Sequence, residues 1–352
     1  MAKLIDISST EEDHKAKDNF LVDLKKMIQT ANLNFLIGAG CSVPAIPLLG
    51  NIENEIQAYL DASKEEEANK LILDFLLPLL QATHNLVSMT DADAKGTISN
   101  YKSFLLNISK ILIDRKNNLL PKKANVFSTN YDLFIEKSFE EISASTSAQL
   151  SDGFKRSPSL SGSFHFSPSE FFNSIYNNGS LYNYKVEIPS VNLVKLHGSL
   201  SWQSNNQRIL FSVNRLEDLF QKCSALASTK IPADIKKFIQ EFSVVLPKKD
   251  KFRDTLLNQT YYDLLRFYAN ELEKENTLLI AEGFSFADEH ILEITKRALK
   301  NPTLTLVIFS FDEKANQLYS QKFDSFKNVH IAYSSTANID FKNFNILVEG
   351  TK

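Results

Sequence analysis

Asn130, in Ser128-Thr129-Asn130-Tyr131-Asp132, and His197, in Lys195-Leu196-His197-Gly198-Ser199, are the side chains of this 352-residue chain best suited by type and context to do chemistry. A neutral imidazole near pH 7 takes a proton from a ribose hydroxyl or a water. An amide takes no proton, but it orients such a hydroxyl or water through hydrogen bonds. His197 is the one histidine of six that stands beside a glycine just past an apolar run, whereas His290 reads as a helix-start residue. Asn130 also suits a helix N-cap or turn, a role that needs no ligand. Asp132 fits either an amide of a bound ligand or the positive end of a helix.

A second candidate is Gly38-Ala39-Gly40-Cys41-Ser42, inside the run NFLIGAGCSVPAIP. Two glycines permit a tight turn and a close backbone approach, and free N–H groups beyond them favour phosphate oxygens. The same residues also fit a plain strand-to-helix turn. Position 43 is Val rather than the third glycine of a dinucleotide fingerprint, and Pro44 and Pro47 interrupt the continuation. No acidic residue closes a second strand about 20 residues on, and no Gly-Lys-Ser/Thr follows. Hydride transfer and ATP hydrolysis are therefore disfavoured. Cys41 is read as a small packing residue, and no metal is expected because His and Cys occur nowhere at paired ligand spacing.

All of these clusters stand just past short apolar runs, as do Gly283-Phe284-Ser285 and Ser310-Phe311-Asp312. Strands are predicted at 34–37, 125–128, 193–196, 278–281, 304–309 and 329–332, alternating with helices at 15–31, 131–142, 254–275, from 288 onward, and at 313–322. The pattern predicts an α/β fold: a Rossmann-like, mostly parallel six-stranded sheet with helices on both faces, whose ligand sits beyond the carboxyl ends of the strands. A smaller, mainly helical lobe built from insertions completes it. The expected division is a nucleotide-binding domain of 1–49 and 121–352 with a helical insertion lobe at 50–120, broken near Pro78 and around 91–96. Residues 143–190 read as an irregular, lid-like segment. Residues 204–250 read as a helical insertion, centred on 214–242 and followed by a short strand at 244–246.

A formal net charge of −3 and a pI near 6.1 supply no field for nucleic acid or membrane, and Lys248, Lys249, Lys251 and Arg253 are read as solvated surface. The polar N-terminal stretch and the lack of a long apolar run predict a cytoplasmic protein. Two cysteines exclude a four-cysteine zinc module and a disulfide framework.

Gly38-Ala39-Gly40-Cys41-Ser42 with Ile46-Pro47 downstream, then Ser128 to Asp132, Lys195 to Ser199, and Gly283-Phe284-Ser285-Phe286-Ala287-Asp288-Glu289-His290-Ile291 occur in this order. The set resembles the sirtuin-like domains of bacterial antiphage defence proteins, over most of the chain. The resemblance implies that Ala39, Gly40 and Ser42 line the pyrophosphate and ribose of NAD+, in a segment that includes Gly38, Ile46 and Pro47. It implies that Asn130 and Asp132, with Thr129 beside them, lie by the nicotinamide ribose and amide. His197 would be the catalytic histidine, and Gly283 and Ser285, flanking Phe284, would hold the adenosine-side ribose or phosphate. Where sirtuins offer an Asn to the ribose after the next strand, this chain has Ser310 or Phe311.

Protein deacetylases of that family carry four zinc cysteines in a small domain that cradles the acyl-lysine peptide, and this chain lacks them. The resemblance therefore implies an NAD+ glycohydrolase that uses NAD+ as substrate without a metal and acts as a defence effector. Gating is expected through a homo-oligomer or a partner such as a HerA-type hexameric ATPase, with sensing done by a separate protein. The alternatives are an NAD-dependent protein deacylase or ADP-ribosyltransferase, and a non-catalytic scaffold subunit that binds NAD or ADP-ribose.

Overall fold

Short runs of branched and aromatic residues become parallel strands in the computed structural model, which describes residues 1–8, 14–48, 50, 52–88, 92–115, 119–156, 164–179, 185–205, 208–229, 231–244 and 259–349. In chain order the elements begin with β1 (Lys3–Asp6), α1 (His14–Thr30), β2 (Asn32–Ile37), α2 (Ile52–Asp61), α3 (Glu65–Ser88) and α4 (Ala92–Asp114). Next come β3 (Lys123–Ser128), α5 (Phe134–Ile142), β4 (Gln149–Ser151), β5 (Phe154–Lys155), β6 (His165–Phe166), β7 (Tyr176–Asn178), β8 (Lys185–Glu187) and β9 (Ser190–Lys195). They are followed by β10 (Trp202–Asn205), β11 (Arg208–Phe211), α6 (Leu216–Thr229), α7 (Pro232–Ile239) and α8 (Gln259–Glu273). The last are β12 (Thr277–Glu282), α9 (Glu289–Ala298), β13 (Leu304–Phe309), α10 (Glu313–Lys322), β14 (Val329–Tyr333) and α11 (Phe341–Glu349).

Eight strands form one sheet in the order β1-β14-β13-β12-β2-β3-β9-β4, and every pair in it is parallel. The architecture is the expected Rossmann-like α/β sheet covered on both faces, with eight strands rather than six. The two extra strands are the short edges: β1 leaves Leu4 half exposed, and β4 has three residues, none of them buried. Neither carries the apolar run that a buried parallel strand needs, which is why periodicity misses them.

Side-chain alternation along the strands builds two apolar cores. On β2, Leu33, Phe35 and Ile37 face one and Leu36 the other; on β12, Leu278 and Ile280 oppose Leu279 and Ala281. The first core also takes buried residues of α3 and α4, where Phe35 meets Phe104 edge-on at 5.2 Å. Pro78 does not break α3. Leu73, Leu76, Leu79, Leu80 and Leu86 are buried on both sides of it, so packing against α2, α6 and α7 outweighs the missing N–H.

The segment 143–190 is less irregular than its sequence suggests, holding β4 to β8 and a 3-10 turn at Pro168–Phe172. Residues 216–229 and 232–239 are helical as expected, but the segment opens with the antiparallel pair β10 and β11. Val244 makes a single bridge to Gly198, and the rest of the strand expected at 244–246 lies outside the described residues. So do Lys248, Lys249, Lys251 and Arg253, and the start of the helix expected from 254. No helix among the described residues is long and apolar enough to cross a membrane.

Candidate active site

The order in which the chain adds strands reverses at β2, which lies between β12 on one side and β3 on the other. The loops leaving β2, β12, β3 and β9 therefore share the carboxyl edge around a topological switch point, where open α/β sheets hold ligands.

The β2 and β12 loops interlock through their glycines. Gly40 N donates to Gly283 O at 3.0 Å, and Gly38 N donates to Glu282 O at 3.1 Å. A Cβ on Gly38 would lie 2.3 Å from Gly283 O, and Gly283 itself adopts φ +63 with Cys41 N 2.7 Å from where its Cβ would be. These glycines are thus fixed by backbone-to-backbone packing, whatever else they contact. Cys41 lies beneath, fully buried, and donates its thiol to Glu282 O. Burial, with Glu282 and Asp132 nearby, raises that thiol well above its ordinary range, so Cys41 is a packing residue rather than a thiolate.

From β3, Asn130 reaches back to the same loop. Its Nδ2 donates to Gly38 O at 3.0 Å and to Ser42 Oγ at 3.2 Å. Ser42 Oγ donates to Asp132 Oδ2 at 2.9 Å and lies 2.9 Å from the hydroxyl of Tyr101, a residue of α4. Asp132 Oδ1 accepts from Phe134 N at 3.2 Å, so the carboxylate both anchors Ser42 and serves the start of α5. With the Asn130 nitrogen held by the loop, its Oδ1 is the amide atom left to orient a ligand hydroxyl.

Lys195, at the end of β9, fixes the Asn130 turn from below. Its buried ammonium donates to Asp132 O at 2.6 Å and Asn130 O at 3.3 Å, with Glu136 Oε2 at 3.5 Å. Burial pushes the Glu136 carboxyl up to about 7, with Lys195 pulling the other way. A folded-state value above the unfolded one means that protonation favours folding; the gain is complete below the ordinary 4.5 and is lost as pH rises through about 7. Relative to Glu136→Gln, the wild type is therefore expected to lose on the order of 2–3 kcal/mol between these limits. Denaturant unfolding of both proteins from pH 4 to 8 checks this, and parallel pH profiles would refute it.

His197 follows β9 on the HGS turn, tied to the Asn130 loop by Leu200 N donating to Tyr131 O at 3.0 Å. Its Nε2 lies 3.1 Å from Asp288 Oδ2, and His290 Nδ1 lies 2.8 Å from Asp288 Oδ1. Asp288 is the N-cap of α9 and accepts from Ile291 N at 3.4 Å. Within 4.8 Å of one another, the ligating atoms of His197, Asp288 and His290 form a group that sequence spacing does not reveal.

The remaining sequence-selected residues divide into rim and floor. Ala39, Pro47 and Ser285 are exposed, and Thr129 is half-buried. Ile46 and Phe284 are buried, and Tyr319 donates to Phe284 O at 3.1 Å. Ser310 is buried, but its hydroxyl donates to Asp312 O at 2.9 Å, away from the Asn130 cluster. The structure thus joins Gly38, Gly40, Ser42, Asn130, Asp132 and Gly283 directly and leaves Ser310 apart. Tyr101, Lys195, Asp288 and His290 complete the assembly, and sequence reading does not single them out. Tyr101 lies on α4, inside the stretch 50–120 that reads only as a helical insertion lobe. Asp288 and His290 have one local signal, an acidic N-cap type at the expected helix start.

Cys223 is also free and buried, its thiol pushed up to about 12 by burial and Asp74. The two cysteines lie beneath the β2 loop and in α6, buried in the apolar core, an unsuitable setting for a thiolate zinc site. A family model described as "SIR2-like domain" matches residues 124–332. Among solved structures, that of Sir2Tm bound to a propionylated peptide aligns with 93% of this chain and 95% of that chain, at 17% identity and a TM-score of 0.43. No curated protein matches the chain.

Proposed function

The chain belongs to the SIR2-like domain family, and from that premise we propose that it is an NAD+ glycohydrolase that splits NAD+ into nicotinamide and ADP-ribose. The observation that carries the reading is the pairing of the Asn130 loop with the HGS turn at the switch point, with His197 against a buried carboxylate. The reaction breaks the bond between ribose C1′ and the nicotinamide nitrogen, which leaves with the bonding pair. A water adds to the oxocarbenium-like C1′, held by the Asn130 amide, and gives up its proton to His197. The glycine loop and its neighbours Ala39, Ser42, Ile46 and Pro47 would take the pyrophosphate and ribose, with Thr129 and Asp132 at the nicotinamide end. Gly283, Phe284, Ser285 and Ser310 would lie on the adenosine side. No step requires a metal.

His197 and Asn130 are only 5% and 7% exposed, which supports a site closed until a trigger opens it. The moving parts in this reading are the 143–190 segment and the 50–120 helices, the latter as a lobe on the 1–49 and 121–352 domain. The order of the four motifs supports a role as an antiphage defence effector gated by oligomerisation or by a partner such as a HerA-type ATPase.

The deciding experiment follows NAD+ with the purified protein, alone and with its candidate partner, in the presence and absence of an acylated peptide. Nicotinamide and ADP-ribose in equal amounts without peptide are expected. Nicotinamide release strictly tied to peptide would make the protein a deacylase, and NAD+ binding without turnover would make it a scaffold subunit.

A further inference from the structure

The turn that carries Asp288 is held on every side. Phe286, buried with φ +52, packs its ring against Phe284, Tyr319 and Phe323, and its carbonyl accepts from Lys322 Nζ. A left-handed backbone at a non-glycine residue persists only where its surroundings impose it, and such positions gather at functional sites. The outcome is that an acidic N-cap is carried across the switch point to the ring of His197.

We propose that Asp288 is the positioning residue for His197, its carboxylate bridging the imidazoles of His197 and His290 so that His197 keeps its proton on Nε2 and offers Nδ1 to the substrate. This rests on the reading of His197 as the proton acceptor. Each imidazole lies against a different carboxylate oxygen, at 3.1 Å and 2.8 Å, close enough for charge pairing between ring and carboxylate. All three side chains are buried, where a carboxylate is tolerated only with partners. A carboxylate beside Nε2 favours the tautomer with the proton on that nitrogen, which leaves the lone pair on Nδ1, and its charge also stabilises the imidazolium formed when Nδ1 takes a proton.

The ring has little freedom to turn. His290 lies at 5.6 Å between centroids and Tyr131 at 6.4 Å. The titratable groups facing His197 are Asp288 and His290 from the start of α9, Tyr131 from the loop after β3, and Tyr261 of α8 behind Gly198. Burial holds both phenols protonated, so the carboxylate sets the tautomer. The same two imidazoles and carboxylate would also suit a transition metal, which would take the place of the proton between ring and carboxylate.

Long-range 1H–15N correlation of 15N-histidine-labelled protein reads the tautomer directly, with His197 assigned by loss of its signals in His197→Gln. The wild type is expected in the Nε2–H form. Asp288→Asn keeps an N-cap residue for α9 but removes the charge; it should populate the Nδ1–H form and lower kcat about 10²-fold with KM changed less than about threefold. His290→Gln should shift the equilibrium in the same direction by less. An unchanged tautomer and unchanged kcat in Asp288→Asn would overturn the proposal while leaving NAD+ cleavage intact. If the wild type does not cleave NAD+, the tautomer shift alone decides the positioning role, and only the functional reading falls. A transition metal bound stoichiometrically to the purified protein and lost in His290→Gln would also overturn it.

Discussion

His197→Ala and Asn130→Ala are each expected to lower NAD+ cleavage by about 10²- to 10⁴-fold while the fold survives. The survival follows from what remains. Without His197, the Asp288 carboxylate still has His290 Nδ1 at 2.8 Å and Ile291 N at 3.4 Å. Without the Asn130 amide, Ser42 still bonds to Asp132 and Tyr101, and Lys195 still clamps the backbone carbonyl of residue 130. The kinetic signatures should differ. Loss of the imidazole removes the proton acceptor, so kcat falls while KM changes little. Loss of the amide frees the glycine loop that would meet the pyrophosphate, so KM rises as kcat falls. Steady-state kinetics, alongside thermal melts, separates the two. Wild-type turnover in both variants would remove the catalytic assignment.

The parts of this molecule that sequence reveals are those governed by local periodicity. The interior strands read correctly because each is a short apolar run ended by a polar turn, and β13 and α10 match their expected bounds. Parallel topology then places the residues after those strands on one edge, so the neighbourhood of Gly38, Asn130, His197 and Gly283 follows from strand order. What stays hidden depends on contacts between distant segments. The role of Asp288 requires the β12 loop to cross two neighbouring strand ends, and no spacing rule encodes that. Tyr101 joins the Asn130 cluster because α4 packs over β2, a contact made by Phe104 and Phe35 one turn away. Pro78 misleads for the same reason: local preference is overruled by apolar burial on both sides of it.

Gly38→Ala is expected to destabilise the protein by about 3 kcal/mol, the upper end for inserting one methyl into a packed interior. At most interior positions a flexible side chain absorbs part of the intrusion. At Gly38 the three atoms nearest the new methyl are all backbone, Gly283 O at 2.3 Å, Phe284 Cα at 2.6 Å and Gly283 C at 2.8 Å. Relief requires the β12 loop to withdraw, which breaks the bonds from Gly38 N to Glu282 O and from Gly40 N to Gly283 O. The same withdrawal would draw Asp288 away from His197, so NAD+ cleavage should fall even in molecules that remain folded. Gly96→Ala is the matched control: Gly96 lies on α4 with nothing within 4 Å of where an added methyl would stand, and there the same change should stabilise by up to about 1 kcal/mol through helix propensity. Opposite signs of ΔTm for the two variants are the expected result. Equal shifts would mean that Gly38 answers to chain flexibility alone and that the two loops do not interlock.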